Sequence, residues 1–415
     1  MATSAKIVAF SIAASEVATT VIQVRGVGFT PLVVIPFYVG RAETVDTAGR
    51  ATIDRGIGFA TAVGTEQGVA THSTDAANPS VCNNVMSNDF ITISAAGAED
   101  GAAFLDALVS DGFDVEISNQ FPNNIRIFAL CLGGDSITSK TVGMVNGHTA
   151  TGIYDAVTTA GFTPTFVMLA ADSRSTVGTA AHSNFNIGAA INSTNQFVVR
   201  VSARNAQGAS HVAEGYALDT VEISAHLSGG PVADRISFHD FAPSTGTGFR
   251  FNSLEFTNSS IGGAYLALAG GDYAIGSLLT RTDTADITVS GLSFQPAAVI
   301  LISACRTENT QDATSNPDQI SIGAITADDS MCMSCRENHS TTGAETSTAI
   351  DYDKCYINLD STGAVQGLME KRSINSDGFT VGMTDTDPSA SWVGYIAIGP
   401  AAAAAATNLM GAICM

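Results

Sequence analysis

Charge is what this chain has least of. Only 14% of its 415 residues are Asp, Glu, Lys or Arg, against about a quarter in an ordinary globular protein. The basic side is the poorer: 18 Lys and Arg face 39 acidic residues, for a net charge of −21, and the only lysines are Lys6, Lys140, Lys354 and Lys371. Phosphate recognition needs Lys/Arg clusters, and no basic run exists, so nucleic acid and anionic membrane surfaces are not expected partners. No apolar run reaches the roughly 18–20 residues of a membrane span, so no membrane insertion is expected. Residues 7–15, after Lys6, have the apolar character of a short secretory leader, but Glu16 follows at once and a first β-strand is the expectation. Seven cysteines, an odd number with none in the middle third, do not form a disulfide framework; most are expected to be reduced, partly buried thiols. No Gly-x-Ser-x-Gly elbow, P-loop or Gly-x-Gly-x-x-Gly occurs, so no catalytic residue and no cofactor is expected, and the chain does not read as an enzyme.

What is present is apolar mass and repetition. Hydrophobic residues make up 45% of the chain, enough for real cores. The low charge leaves Ser, Thr, Asn, Gly and Ala to cover the surface, and these short side chains lose little rotamer entropy when ordered. Three segments match: Gly28-Phe29-Thr30-Pro31-Leu32-Val33-Val34-Ile35, Gly161-Phe162-Thr163-Pro164-Thr165-Phe166-Val167-Met168 and Ser293-Phe294-Gln295-Pro296-Ala297-Ala298-Val299-Ile300. Their prolines lie 133 and 132 residues apart, and each is followed at the tenth position by an arginine: Arg41, Arg174 and Arg306. A second motif reads Asp111-Gly112-Phe113, Thr247-Gly248-Phe249 and Asp377-Gly378-Phe379. About sixteen residues later comes an aromatic-led apolar strand opening at Phe128, Tyr265 or Tyr395. A weaker match, Ile57-Gly58, Ile187-Gly188 and Ile322-Gly323, lies between the two motifs. Such periodicity is the signature of tandem units.

The units read as all-β. Post-proline runs such as Ala297 to Ile302 are short and continuously apolar, as in a buried sandwich strand. Asp-Gly before Phe113 and Phe379 signals a turn, and strand–turn spacing of about 8–12 residues favours a sandwich or jelly roll. Residues 101–110 have some helical character, but their counterparts near Ile236 and Leu368 are extended, so strand is expected for all three. The expected architecture is three tandem β-sandwich modules, jelly-roll-like, at 1–138, 139–275 and 276–400. A tail at 401–415 follows, whose alanines after Pro400 favour a short helix or arm.

The order Phe-x-Pro plus apolar strand, then Asp-Gly-Phe, then an aromatic-led strand ending in Gly resembles repeat modules in structural proteins of tailed bacteriophages. Those modules are similar to concanavalin-like β-sandwiches and occur in head decorations and tail fibres. The resemblance implies a non-enzymatic virion structural role, in a virion assembled in the host cytoplasm, with other virion proteins (capsid or tail subunits) as partners. It carries no catalytic residue with it. Three similar modules in one chain mimic a trimer, which suits a threefold or quasi-threefold site on a shell and leaves open a homo-oligomer or a pseudo-trimeric monomer. The alternative is a tail-fibre or spike adhesin that holds host surface glycans on its sandwich loops.

Few residues read as a site. Arg41, Arg174 and Arg306 are the best repeated polar feature, either closing each sandwich edge or forming a triplicated contact to a partner subunit. Cys332-Met333-Ser334-Cys335 is a lone Cys-x-x-Cys without the second pair that a strong zinc site needs. His72, His211 and His339 fall 41, 47 and 43 residues after their prolines and would converge only if the modules form a pseudo-threefold. Asp328-Asp329, Asp351/Asp353 and Asp385/Asp387 match no twelve-residue calcium loop. No metal is expected.

Overall fold

The computed structural model describes residues 3–40, 49–50, 52–74, 82–95, 97–145, 147–172, 177–181, 183–203, 213–219, 222–227, 232–256, 262–307, 318–340 and 343–400. Among these residues there are 32 strands and no helix. The expected C-terminal helix or arm lies outside them. The strands fall into three sets along the chain. The first contains β1 (Ser4–Ile12), β2 (Val21–Arg25), β3 (Val33–Val39), β4 (Gly49–Arg50), β5 (Thr52–Ala62), β6 (Thr65–Thr74), β7 (Cys82–Ser87), β8 (Ile91–Ala95), β9 (Ala98–Val109), β10 (Gly112–Asn119) and β11 (Ile125–Gly133). The second contains β12 (Ile137–Met144), β13 (Gly152–Val157), β14 (Phe166–Asp172), β15 (Gly178–Ala181), β16 (Ser183–Asn192), β17 (Asn195–Ala203), β18 (Ala213–Asp219), β19 (Ser224–Leu227), β20 (Val232–Asp240), β21 (Phe249–Glu255) and β22 (Gly262–Gly270). The third contains β23 (Asp272–Leu279), β24 (Asp286–Val289), β25 (Ala298–Ser303), β26 (Asp318–Thr326), β27 (Ser330–Ser340), β28 (Gly343–Asp351), β29 (Lys354–Leu359), β30 (Val365–Asn375), β31 (Gly378–Asp385) and β32 (Trp392–Gly399).

Each set builds the same pair of antiparallel sheets. The inner sheets run β1-β11-β3-β5-β6-β7, β12-β22-β14-β16-β17-β18 and β23-β32-β25-β26-β27-β28. The outer sheets run β2-β10-β9-β8, β13-β21-β20-β19 and β24-β31-β30-β29. The two remaining strands leave their own sets: β15 extends the first inner sheet beside β7, and β4 extends the third beside β28. Both belong to the same connection, the one after the post-proline strand. In the third set that connection includes residues 308–317, outside the described residues.

The inner sheets are covered on both faces. Along β3, Val33, Ile35, Phe37 and Val39 enter a core shared by all three inner sheets, while Val34 and Tyr38 face the outer sheet of their own sandwich. Phe166, Met168 and Ala170 of β14 alternate with Val167, Leu169 and Ala171 in the same way, as do Ala298, Ile300 and Ile302 of β25 with Val299 and Leu301. Successive side chains of a strand point to opposite faces, so a strand in a middle layer must be apolar at every position. That is why the post-proline runs are continuous rather than alternating. The sheets close into a ring. β6 packs on β12 and β22, β17 packs on β23, β26 and β32, and β26 packs on β1.

The repeated motifs have steric causes. A Cβ on Gly58, Gly188 or Gly323 would lie 1.7, 1.9 or 2.0 Å from the carbonyl oxygen of Phe90, Ile223 or Cys355, which enters the outer sheet's edge. A Cβ on Gly112, Gly248 or Gly378 would lie 2.0, 2.1 or 1.9 Å from the oxygen of Val24, Val157 or Val289. The residue before each of these glycines accepts an amide from the loop ahead of the proline strand: Val27 to Asp111, Ala160 to Thr247 and Leu292 to Asp377. The carboxylates of Asp111 and Asp377 also accept from Gly26 and Gly28, and from Gly291. The first set of glycines thus marks where inner and outer sheets touch through backbone, and the second where neighbouring strands of the outer sheet crowd each other.

The aromatic-led strands need a correction. The register pairs Leu130 with Ile35, Leu266 with Met168 and Ile396 with Ile300, so Ala129, not Phe128, is the counterpart of Tyr265 and Tyr395. One residue of offset changes the face. Phe128 stacks on Phe37 in the shared core, with centroids 5.0 Å apart. Tyr265 and Tyr395 instead meet Phe249 and Phe379 edge-on inside their sandwiches, at 5.3 and 5.4 Å. In the first sandwich Phe10 takes that part against Phe113, at 5.8 Å.

Each outer sheet has a bulge at one equivalent point, where Asp106, His239 or Arg372 is skipped by the pairing. Beside it, the amide of Leu105 donates to Glu66 Oε2 and that of Phe238 to Gln196 Oε1, both at 2.6 Å. In the third set Lys371 ties the sheets instead, donating to the carbonyls of Thr326 and Ala327 at 3.1 and 2.7 Å. Burial pushes the Glu66 carboxyl up to about 8, the Leu105 amide opposing it.

Two outcomes follow. Gly188→Ala lowers the free energy of unfolding by about 3 kcal/mol in urea titration, since a strand must shift to admit the methyl; a loss under about 1 kcal/mol would mean that the sheets part freely. A carboxyl whose folded value is raised keeps its proton longer in the folded state, so stability falls as pH rises from about 4.5 through 8. Glu66→Gln keeps the acceptor and removes that loss. Its thermal melt matches wild type near pH 4.5 and is higher at pH 9, by roughly 2–4 kcal/mol.

Candidate functional site at the closing seam

The chain runs directly from the first set into the second, and from the second into the third. The third and first sets meet without a short covalent link, and the polar chemistry concentrates there. Asp54 and Arg55 lie side by side on β5, opposite His72 and Thr71 of β6. Being neighbours on a strand, they face opposite ways. Arg55 sits between Ile53 and Ile57 on the shared-core face and is fully buried. Its Nη2 lies 3.3 Å from Glu337 Oε1 of β27, itself 1% exposed, and its Nε donates to Thr71 Oγ1 at 3.0 Å. Desolvation is costly for both charges, and their pairing offsets part of it.

Asp54 faces into the first sandwich and holds His72. His72 Nδ1 is 2.8 Å from Asp54 Oδ1, and its Nε2 is 3.1 Å from Thr74 Oγ1. Burial alone lowers the imidazole's affinity for a proton. The hydrogen bond and charge of Asp54, with Glu337 and Asp100 further off, outweigh this and hold it above its ordinary value. The order carboxylate, imidazole, hydroxyl can orient a tautomer and pass a proton. Its setting is a strand surface packed between sheets.

Three more links cross this seam. Lys6 Nζ of β1 pairs with Asp329 Oδ2 at 3.0 Å. The Arg126 guanidinium of β11 lies 5.0 Å from the centre of the Tyr352 ring and donates to its hydroxyl. Backbone pairing joins Gly49 and Arg50 to Ser347 and Thr346. Arg126, Phe128, Met331, Met333, Ile350 and Tyr352 line a crevice too tight to admit a water molecule, unlike the roomy clefts that take small molecules. Both ion pairs that join different sets, among the described residues, fall on this seam. The other two seams show neutral contacts: a hydroxyl pair of Thr3 and Ser136, Thr179 donating to the Gly97 carbonyl at 2.5 Å, and Phe166 stacked on Tyr273 at 4.8 Å.

The residues singled out in the sequence scatter. Arg41 and Arg174 lie outside the described residues; Arg306 is half-buried, and its carbonyl accepts the Trp392 amide at 2.8 Å. His211 also lies outside them. His72 has Ser202 and Arg336 as its register counterparts, and His339 sits three residues further along β27, so the histidines do not share a ring position. Cys332 and Cys335, three apart on one strand, face opposite ways: Cys332 lies beside Ile357 in the sandwich, Cys335 in the shared core. One metal cannot take both. Among the described residues, no disulfide forms, and no group of three His, Cys, Asp or Glu is placed to hold a metal. The acidic pairs divide too. Asp329 joins the seam, whereas Asp387 is buried and accepts from Thr280, Tyr356 and Asn358 at 2.8, 2.9 and 2.8 Å. Asp54, Arg55 and Glu337 were not picked out from the sequence. The visible signal was charge inside otherwise apolar strands, and nothing local names a partner more than 280 residues away.

No protein family and no curated protein matches the chain. Among solved structures, the LG1-3 region of the laminin α2 chain aligns over 96% of this chain and 95% of that one, at 7% identity and a TM-score of 0.09. So slight a likeness carries no argument.

Arg55→Ala leaves Glu337 buried without this partner and costs about 3–5 kcal/mol in urea unfolding. Arg55→Met with Glu337→Leu removes both charges and recovers most of that loss. If the double variant is as unstable as the single, the pair is not what the seam depends on.

Proposed function

We propose that this chain is a non-enzymatic structural protein of a virus particle, decorating or cementing the exterior of a tailed-phage shell. One observation carries the reading: three sandwiches of identical strand order close into a ring around a shared core. Such a chain presents three like faces about an axis, the arrangement that a threefold or local threefold position on a shell accepts from a single copy. The three modules are the proposed units of contact, with capsid subunits as partners and the repeated arginines Arg41, Arg174 and Arg306 as candidate contacts. The short-side-chain surface and the phage-like motifs support the same reading.

The test is immunogold electron microscopy, with an antibody to this chain on particles and cells from its source. Label spread over the shell is the expected result. Label confined to tail tips would overturn it in favour of a glycan-binding adhesin, and label on cells alone would remove the virion reading altogether.

A further inference from the structure

Modules of this size in one chain ordinarily unfold one by one, because the contacts between them are small and polar. We propose that these three sandwiches do not: the ring is a single folding unit, in which no sandwich keeps its order once another has lost it.

Two kinds of core lie side by side in the ring. Phe113, Phe249 and Phe379 stand at equivalent points of β10, β21 and β31, and each is buried in a core built from its own set alone. The shared core is of the other kind. Ile35, Met168 and Ile300 enter it from β3, β14 and β25, so each set supplies part of the cover for the other two. Loss of order in one set therefore uncovers apolar faces on both of its neighbours, against the main force that holds them folded.

Strand exchange ties the sets a second time. β15, from the second set, pairs along Gly178–Ala181 with residues Met86 to Asn83 of β7, and Thr179 reaches on to the Gly97 carbonyl between β8 and β9. β4, from the first set, pairs with Thr346 and Ser347 of β28. The second set is thus keyed into the first, and the first into the third. Unfolding of the first set takes the ladder from β15 and strips β4 from β28, so both neighbours lose backbone hydrogen bonds. The junctions add a third tie. Gly271 alone separates β22 from β23, and residues 134–136 separate β11 from β12. Chain this short leaves no slack for one sandwich to disorder beside an intact neighbour.

The sequence carries its own reporter. Trp392 is the only tryptophan, and it opens β32 of the third set opposite Leu279 of β23. Its fluorescence follows the third set, whereas far-UV circular dichroism follows the strands of all three. Urea unfolding of the full chain, read by both probes, should show one transition with one midpoint. Phe113→Leu, Phe249→Leu and Phe379→Leu then weaken one private core each. Every one of them should raise the unfolding equilibrium constant by roughly tenfold, and by the same factor at Trp392 as by circular dichroism. Val115→Ala and Val381→Ala, buried in the first and third of these cores, make the comparison where a leucine variant does not fold. If unfolding does not reverse, unfolding rates at one fixed urea concentration replace the midpoints, and both probes should give a single rate in every variant. A Trp392 transition that moves in Phe379→Leu but stays put in Phe113→Leu or Phe249→Leu would overturn the proposal. So would circular dichroism that falls in separate steps, or two probes with two rates. None of these readings depends on a virion role.

Discussion

Each inner sheet is apolar on both faces, and the fold turns on that. A two-layer sandwich covers one face of a sheet and leaves the other wet. Here the second face of every inner sheet is as rich in Val, Ile, Leu and Phe as the first. Exposure of such a face is far beyond the few hundred Å² of apolar patch that a lone soluble unit tolerates. Three sheets turned toward one another remove all three faces from water at once. The outer sheets, the backbone-on-backbone contacts at the repeated glycines and the exchanged edge strands all serve sheets that must be covered twice.

Within this shared frame the chemistry has diverged in matched pairs. Where β1 and β11 place Val8 opposite Ala129, the second and third sets place Gly143 opposite Tyr265 and Gly276 opposite Tyr395. The ring lies over the glycine in both, so the volume lost on one strand is returned from the next. The tie at the bulge is an acid, an amide and a lysine in turn. The core positions keep one geometry through compensating sizes. The polar positions have no such constraint, and among the described residues the ion pairs between sets fall on one seam.

Much of this architecture could be read from the residues. The repeated glycines, the Asp-Gly turns and the post-proline runs mark places where backbone approaches backbone or where both faces are buried, and such constraints leave a local trace. The aromatic-led strands were legible as strands but not in register, because Phe128 and Tyr265 look alike in sequence while a single residue of offset sends them to different cores. The central core was not legible at all, since a continuous apolar run says that a strand is covered twice but not by what. The seam was hidden for the same reason. Asp54 and His72 meet by hairpin register, but Arg55 and Glu337 meet only once the third sandwich has come round to the first.

The strand exchange carries a consequence in time. The first sandwich leaves the ribosome with β1 through β11 complete, yet β4 has its partner in β28 and Arg55 has its counter-charge in β27. At about 5–20 residues per second, synthesis of what is missing takes on the order of 10–50 s. Through that interval a nascent sheet carries Arg55 without its β27 carboxylate, and a bare apolar face. The price of a ring that closes on its own beginning is a long adolescence, during which the chain depends on staying dilute or on being held by something else.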